Sequence, residues 1–130
     1  MFDKLQVFRM ADAMARHASA RQTIVAENMA NADTPDFKAR DIASFSETID
    51  STAPDFGLRS TRKAHLNEAQ SALSKFAVRE EDRPFTSPNG NSVSVEDQVM
   101  KSVEVKQQHD RAVAIYKSAL NVMHTALGRR

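Results

Sequence analysis

The chain has 130 residues with 18 basic and 17 acidic side chains, and its formal net charge is +1. This balance gives no strong attraction to nucleic acid or to an anionic membrane surface. The absence of cysteine excludes disulfides, thiolate metal sites and cysteine nucleophiles. Only three residues are glycine and 6% are aromatic, a composition typical of one domain built from long helices.

The first predicted element is a helix from about Asp3 to Asn31, a stretch without glycine or proline. Steps of three and four residues connect its apolar and small side chains into a narrow stripe, as in a coiled-coil seam. One such helix cannot bury its own stripe and needs a partner helix. We interpret the polar side chains of its other faces, including Arg21, as solvated or intersubunit surface. The stripe consists of Phe8, Ala11, Ala15, Ala18, Gln22, Val25, Met29 and Ala32.

The first helix is predicted to end at a polar turn near Asn31. Asn31 and Thr34 favour hydrogen bonds from side chain to backbone over continuation of the helix. Pro35 disfavours the helical conformation of the residue before it and has no N–H to donate. Phe37 then supplies an apolar anchor just past the turn.

The sequence after this turn predicts a short helix, a loop and a β-ribbon. Apolar residues from Asp41 to Ile49 recur on one helical face, whereas Ser51 to Lys63 is polar and predicts a loop. Phe76 to Val78 alternates like a strand, and Asn89-Gly90 favours a tight reversal. We therefore expect a small β-ribbon or extended segment between about Phe76 and Val95.

The last predicted helix begins with a capping signal, in which Ser94 is the N-cap and Asp97 follows three residues later. No glycine or proline interrupts the chain from there to Leu127, and Gly128 is a natural stop. The apolar stripe of this helix weakens in its polar middle. The stripe consists of Val95, Val99, Val103, Val113, Tyr116, Leu120, Met123 and Leu127.

Two terminal helices of similar length pair most simply as an antiparallel hairpin with the insert at one end. The sequence therefore predicts a mainly α fold, an antiparallel coiled-coil hairpin with a small irregular or β-ribbon insert. Residues 1–32 and 94–130 would form one coiled-coil assembly domain. Residues 33–93 would form the junction, a loop and the insert.

No pattern in the sequence carries catalysis, so we expect no enzyme, no catalytic residue, no cofactor and no metal. Ser60 and Lys63 match S-x-x-K without its companion motifs, which we interpret as chance. The acidic run Glu80 to Asp82 lies between arginines and predicts a solvated, mutually neutralised face. The four histidines follow no metal-ligand spacing and are predicted to be solvated or on a helix surface. They are His17, His65, His109 and His124.

Neither a membrane nor a nucleic acid is a predicted partner. No apolar run is long enough to cross a membrane, and the N-terminal residues lack the apolar core of a secretory signal. We therefore expect no direct membrane insertion, and a protein that is either cytoplasmic or exported without removal of a signal. The basic residues of the first helix are interspersed with acids and lack neighbouring aromatics, which argues against nucleic-acid binding.

Association is the remaining function. The two stripes expose more apolar surface than a lone hairpin covers, and heterologous packing of many hairpins generates a helical assembly. A cytoplasmic coiled-coil adaptor or chaperone that forms a small oligomer is the alternative on the same features.

The segment from Asn28 to Asp41 resembles the bacterial flagellar axial proteins. Pro35 and the extension Lys38 to Asp41, with Gly90 to Glu96 before the last helix, look specifically like proximal rod subunits. Where the family pattern has glycine this chain has Asp36, and aspartate tolerates a positive φ better than most other residues. The shared signature N-x-A-N-x-x-T-x-G-[FY] is matched at Asn28, Ala30, Asn31, Thr34 and Phe37.

This resemblance implies a structural subunit of the basal-body rod, the periplasm-spanning driveshaft that transmits torque for motility. It implies export through the flagellar type III apparatus without a cleaved signal peptide, and terminal helices that are disordered until they pack in an inner coiled-coil tube. The implied partners are other copies of the chain, other rod subunits and the rod–ring adaptor FliE. The expected assembly seam consists of Phe8, Ala15, Val25 and Met29, with Val113, Tyr116, Leu120 and Leu127 opposite.

Overall fold

Two long helices account for most of the described chain. The computed structural model describes residues 2–51, 76–82 and 86–128. Helix α1 spans Phe2–Ala30 and helix α3 spans Val95–Ala126. The predicted loop beyond Ser51, and with it Ser60 and Lys63, lies outside the described residues.

The two helices pack against each other in antiparallel fashion. Residue numbers decrease along α1 as the numbers of their partners increase along α3: Asn28 lies against Gln98, His17 against Gln108 and Phe8 against Tyr116. The mainly α hairpin is therefore confirmed. Among the described residues, no helix has both the length and the apolar character that a membrane span requires.

The buried faces of both helices repeat every seven residues. On α1 the buried side chains Ala11, Ala18 and Val25 have this spacing, and on α3 Gln98, Val105 and Ala112 have it. Seven residues is the repeat of a coiled-coil seam, and the small alanines allow the helix axes to approach closely.

The first half of the predicted α3 stripe is exposed in the single chain. Val95, Val99 and Val103 are 45%, 47% and 51% exposed, and Gln22 of the α1 stripe is exposed as well. Each step of four residues turns the side chain by about 40° around the helix axis. Residues spaced only by four therefore move off the face that contacts the other helix. Polar Gln98 takes the buried position, where its Oε1 accepts from Asn28 Nδ2.

The insert carries two short strands and one short helix. Strand β1 spans Arg40–Ile42, helix α2 spans Phe45–Ser51 and strand β2 spans Val78–Glu80. The strands are antiparallel, with Ile42 opposite Val78. Ala20 and Ile24 of α1 pack with Ile42, and Phe76 lies against this small core.

The insert differs from the predicted outline in two places. The short helix begins at Phe45 rather than Asp41, because Ser44 caps it: the Ser44 hydroxyl accepts from the Glu47 N–H at 3.4 Å. Between about Phe76 and Val95 the described residues contain strand β2, but no second strand that pairs with it. Strand β2 pairs instead with β1, which precedes it by more than thirty residues, and Val95 begins α3.

The predicted ends of the long helices are confirmed. The Ser94 hydroxyl accepts from the Asp97 N–H at 3.4 Å and caps α3. At the other end the Leu127 N–H donates to the Met123 carbonyl at 2.9 Å, and Gly128 follows with φ 85°. A positive φ after the last turn is the usual way to end a helix at glycine.

Candidate functional site at the helix junction

Asn28 joins the end of α1 to strand β1. Its side chain is fully buried. The Asn28 Nδ2 donates to the Arg40 carbonyl at 2.7 Å, and its Oδ1 accepts from the Arg40 N–H at 3.1 Å. One amide thus satisfies both backbone groups of Arg40, which would otherwise be unpaired on the side of β1 that faces away from β2.

Gln98 extends this contact to α3. Its Oε1 accepts a second hydrogen bond from Asn28 Nδ2 at 3.1 Å, so Asn28 connects α1, β1 and α3. Gln98 is itself fully buried, and its Nε2 has no hydrogen-bond partner within the described part of the chain. A buried donor without a partner disfavours folding by about 1–3 kcal/mol. Other contacts of Gln98, including the bond from Asn28, must therefore offset this cost.

Asn91 holds the turn that follows α1 from the other side. It lies in the return segment, residues 89–94, which leads into α3, and it is buried. Its Nδ2 lies 2.9, 2.9 and 2.8 Å from the carbonyl oxygens of Asn31, Ala32 and Thr34. These carbonyls belong to the end of the helix and the turn, where no partner from the helix itself is available.

The resemblance-derived residues of the turn occupy different environments. The Asn31 amide donates to the Glu27 carbonyl at 2.8 Å, and the Thr34 hydroxyl donates to Asn31 Oδ1 at 3.2 Å. Phe37 is half-buried, and its ring lies 5.8 Å from the Arg40 guanidinium, a cation–π contact. Ala30 is the last residue of α1, and both it and Pro35 are exposed.

Asp36 and Gly90 bring the turn and the return segment into close contact. Asp36 has φ 60°, as expected if this position needs a positive φ, and its N–H donates to the Asn89 carbonyl at 3.0 Å. Gly90 also has a positive φ, 81°. A Cβ at Gly90 would lie 2.1 Å from Asp36 Oδ1, so a side chain at Gly90 would require the Asp36 carboxylate to move.

A charged cluster of Arg21, Asp41, Glu81 and Lys101 ties the insert to both long helices. Arg21 donates to both Asp41 oxygens, at 2.9 and 3.0 Å, and Lys101 lies 3.0 Å from Asp41 and also bonds Glu81. Two predictions are therefore wrong: Arg21 is not simply solvated, and Glu81 pairs with Lys101 outside its own run. Arg21 and Glu81 each bind a side chain on an element distant in sequence.

The cluster shifts the pKa values of its central pair. Burial alone would raise the pKa of Asp41, but hydrogen bonds from Arg21, Lys101 and the Ile42 N–H outweigh it, so this pKa lies below its ordinary value. The hydrogen bond to Asp41 raises the pKa of Arg21 against the effect of burial. Asp41 therefore stays ionised at neutral pH and acts as a fixed negative centre.

His17 is buried, so its prediction as a solvated histidine is wrong. Its Nε2 lies 2.8 Å from the Ala43 carbonyl and its Nδ1 lies 3.0 Å from Gln108 Nε2. A donor at Nε2 and an acceptor at Nδ1 satisfy both contacts, which fits the neutral ring. Phe45 and Phe76 lie against the ring with centroids at 5.5 and 5.1 Å. The ring is a structural connector.

The eight seam residues lie at different depths. Val25 is buried inside the hairpin, and the Phe8 and Tyr116 rings meet edge to face at 5.1 Å. Met29 and Leu127 are 41% and 81% exposed. The remaining three, Ala15, Val113 and Leu120, are half-buried.

An apolar groove lies beside the Phe8–Tyr116 contact, away from the junction. It has a volume of about 310 Å³. In the described part of the chain, no group of three histidine, aspartate or glutamate side chains is placed to hold a metal ion. The groove is lined by Val7, Ile115, Ser118, Ala119 and Val122.

Sequence reasoning missed Asn91, Gln98 and His17 as residues that hold the junction. The seven-residue spacing of Gln98 with Val105 and Ala112 could have indicated its buried position. For Asn91 the adjacent Asn89-Gly90 turn marked the place but not the contact, because its acceptors lie about sixty residues earlier.

The chain is similar to two flagellar rod proteins. It is 37% identical over 125 residues to the flagellar basal body rod protein FlgB of Agrobacterium fabrum (strain C58), covering 92% of this chain and 90% of that protein. It is 30% identical over 111 residues to the flagellar basal body rod protein FlgB of Aeromonas hydrophila, covering 84% and 83%. No profile of a known protein family matches the chain.

Proposed function

The chain belongs to the FlgB family of flagellar basal body rod proteins, and from that membership we propose how its hairpin and junction build the rod. It is a structural subunit of the basal-body rod that assembles with other flagellar components, and it is not an enzyme. Neither relative's name favours the adaptor or chaperone alternative.

The observation that carries the proposal is the exposed apolar surface of both long helices. Side chains that a monomeric protein would bury are open along α1 and α3, and burying apolar surface contributes roughly 25 cal/mol per Å². Packing against neighbouring subunits would remove this surface from water. The exposed large apolar side chains on the two helices are Val7, Met10, Met29, Val95, Val99, Met100, Val103, Ile115, Tyr116, Val122 and Leu127.

The proposed assembly seam keeps the eight residues expected from the sequence. Met29, Tyr116 and Leu127 are exposed and open to a neighbouring subunit. Val25 and the half-buried positions would act by setting the register of the hairpin that presents these side chains. The seam consists of Phe8, Ala15, Val25, Met29, Val113, Tyr116, Leu120 and Leu127.

In the proposed division of labour, residues 1–32 and 94–130 form the coiled-coil assembly domain, and residues 33–93 form the connector. The junction residues Asn28, Asn31 and Thr34 would set the direction in which the chain leaves α1. Phe37 would hold the connector in place.

The finer partners follow from the family resemblance. We propose contacts with other copies of the chain, with other rod subunits and with the rod–ring adaptor FliE. We also propose that the chain reaches the periplasm-spanning rod through the flagellar type III export apparatus without signal cleavage.

Ala15→Glu tests the seam, with Ala13→Glu as the matched control because Ala13 is exposed and Ala15 is half-buried. A carboxylate placed in the seam should prevent packing, since an unpaired charge is costly to remove from water. We expect Ala15→Glu cells to be non-motile and their purified basal bodies to lack the chain, while Ala13→Glu cells swim. Normal swimming of Ala15→Glu cells would contradict the seam.

A further inference from the structure

The return segment begins with a dipeptide that is chemically reactive. Asn89 is the one asparagine in the sequence that glycine follows. Because glycine has no Cβ, its backbone nitrogen can approach the side-chain carbonyl carbon of the preceding asparagine with little steric hindrance. Asparagine is for such reasons a thermolabile residue. The Asn89 side chain is also exposed, so water reaches it.

The reaction at this dipeptide is deamidation through a succinimide. The Gly90 nitrogen loses its proton and forms a bond to Asn89 Cγ, while the Cγ–Nδ2 bond breaks and the amide nitrogen leaves as ammonia. Water then opens the succinimide at either carbonyl. The product at position 89 is aspartate, or isoaspartate in which the main chain runs through Cγ.

The folded turn engages the nitrogen that would attack. The Gly90 N–H donates to the Ser87 carbonyl at 2.8 Å, which closes a turn with Pro88 in its second position, a place that proline favours. The Ser87 N–H donates to the Asn91 carbonyl at 2.8 Å. Removal of the Gly90 proton, which the reaction requires, therefore breaks a hydrogen bond that closes the turn.

The group that would be attacked is fixed as well. Asn89 Oδ1 accepts from the Asn91 N–H at 3.1 Å, and the Asn89 backbone carbonyl accepts from the Asp36 N–H at 3.0 Å. Ring closure requires rotation of the Asn89 side chain and of the peptide plane that joins it to Gly90. Because hydrogen bonds have strict geometry, these rotations break the contacts with Asn91 and Asp36.

Isoaspartate at position 89 would not fit the folded turn. Its main chain is longer by one methylene group, which displaces Gly90 and Asn91 relative to Ser87. Both hydrogen bonds that close the turn depend on that spacing. Asn91 also carries the amide that bonds the carbonyls at the end of α1, so the displacement would reach the junction.

We propose that Asn89 is a deamidation site that reacts in the unfolded chain and is protected by the folded return segment. The contacts that hold the junction thereby also preserve the chain chemically. A chain that reacts before it folds carries isoaspartate where the junction needs a tight turn, and its junction is weakened. The proposal concerns the chain itself and does not depend on the proposed function.

Peptide mass spectrometry of the full-length chain, incubated at mildly alkaline pH in buffer or in guanidinium chloride, tests the protection. Conversion of Asn89 should be at least about tenfold faster in denaturant, because in buffer it requires local opening of the turn. Asn121 is the internal control: it is exposed and precedes Val122, whose branched side chain hinders the attack, so it should convert slowly in both solutions. Equal rates for Asn89, or no conversion in denaturant, would overturn the proposal.

A variant identifies the contacts that give the protection. Asn91→Ala removes the amide that holds the return segment against the end of α1, and should speed conversion of Asn89 in buffer at least about tenfold. Asn121→Ala, the matched control, should leave the rate unchanged. An unchanged rate in Asn91→Ala would overturn the role of these contacts.

The effect of the product is measured separately. Chain converted in denaturant, purified as the isoaspartate form and refolded, should unfold at a lower urea midpoint than Asn89→Asp, which has the same charge and the ordinary backbone. Fragmentation of the peptide that contains residue 89 distinguishes the two products. Equal midpoints would overturn the inference that isoaspartate weakens the junction.

Discussion

The junction half of the hairpin, residues 17–28 of α1 with 98–108 of α3, and the open half, residues 6–10 of α1 with 113–126 of α3, differ in what determines their packing. In the junction half, buried amides and a charged cluster specify which residues meet, and the connector encloses them. In the open half, Val7, Met10 and Val122 expose apolar surface. The described polar contacts between α1 and α3 do not reach this half. The comparison teaches that a subunit made for assembly can separate specificity, supplied internally, from affinity, reserved for neighbours.

The largest expected effect comes from Asn91 in the junction. Asn91→Ala should lower the free energy of unfolding by about 3 kcal/mol, because it removes the buried amide that bonds the carbonyls of Asn31, Ala32 and Thr34 and accepts from the Val93 N–H. Urea denaturation followed by circular dichroism measures this loss. Asn121→Ala, an exposed position on α3, should lose less than about 1 kcal/mol. Equal losses would show that Asn91 does not hold the turn.

The charged cluster should give a smaller effect that depends on pH. Asp41→Asn should cost about 1–2 kcal/mol at pH 7, less than a fully buried pair because Asp41 keeps some exposure. The pKa of Asp41 is lower in the folded chain than its ordinary 3.8, so its ionised form favours folding. This contribution is complete above the unfolded value and is lost as the pH falls through the folded value.

The measurement is the urea midpoint from pH 7 down to pH 3. The midpoint of the original chain should fall below about pH 4, and that of Asp41→Asn should fall less steeply, because the titrating carboxylate is gone. Asp12→Asn removes an exposed carboxylate paired with Arg16 and serves as the control. Parallel pH profiles of the original chain and Asp41→Asn would contradict the assigned role of Asp41.

Gly90→Ala should show whether the close contact of the turn with the return segment matters. We expect a loss of about 1–2 kcal/mol in urea denaturation, from the positive φ and from the new Cβ against Asp36. Gly128→Ala shares a positive φ but its Cβ would meet no atom within 4 Å, so it isolates the backbone effect. Losses of equal size would mean that Asp36 moves aside freely.

The smallest effect on the free chain is expected in the open half. Tyr116→Ala should lower the free energy of unfolding of the monomer by less than about 1 kcal/mol, because 45% of Tyr116 is already exposed there. In cells the same variant should reduce incorporation into basal bodies, measured by immunoblot of purified basal bodies. A large loss of monomer stability, or full incorporation, would remove the distinction between the two halves.

Local sequence determined the helices and their ends. Segments without glycine or proline became α1 and α3, Ser94 capped α3, and the polar turn with Pro35 ended α1. These are effects of neighbouring residues on the backbone, which any reader of the chain can evaluate. The motif around Asn28 likewise identified the family, because it lies in one continuous stretch.

Tertiary structure alone decided which strands pair and which polar side chains find partners on distant elements. Strand β2 could find β1 only after the chain had folded back, and Gln98 was buried in place of Val95 because Asn28 lay opposite it. From the sequence, His17 and Arg21 look like surface residues of a helix. In the folded chain His17 contacts Ala43 and Gln108, and Arg21 binds Asp41. Partners twenty to ninety residues away determine these environments, and no local spacing encodes the distance between them in space.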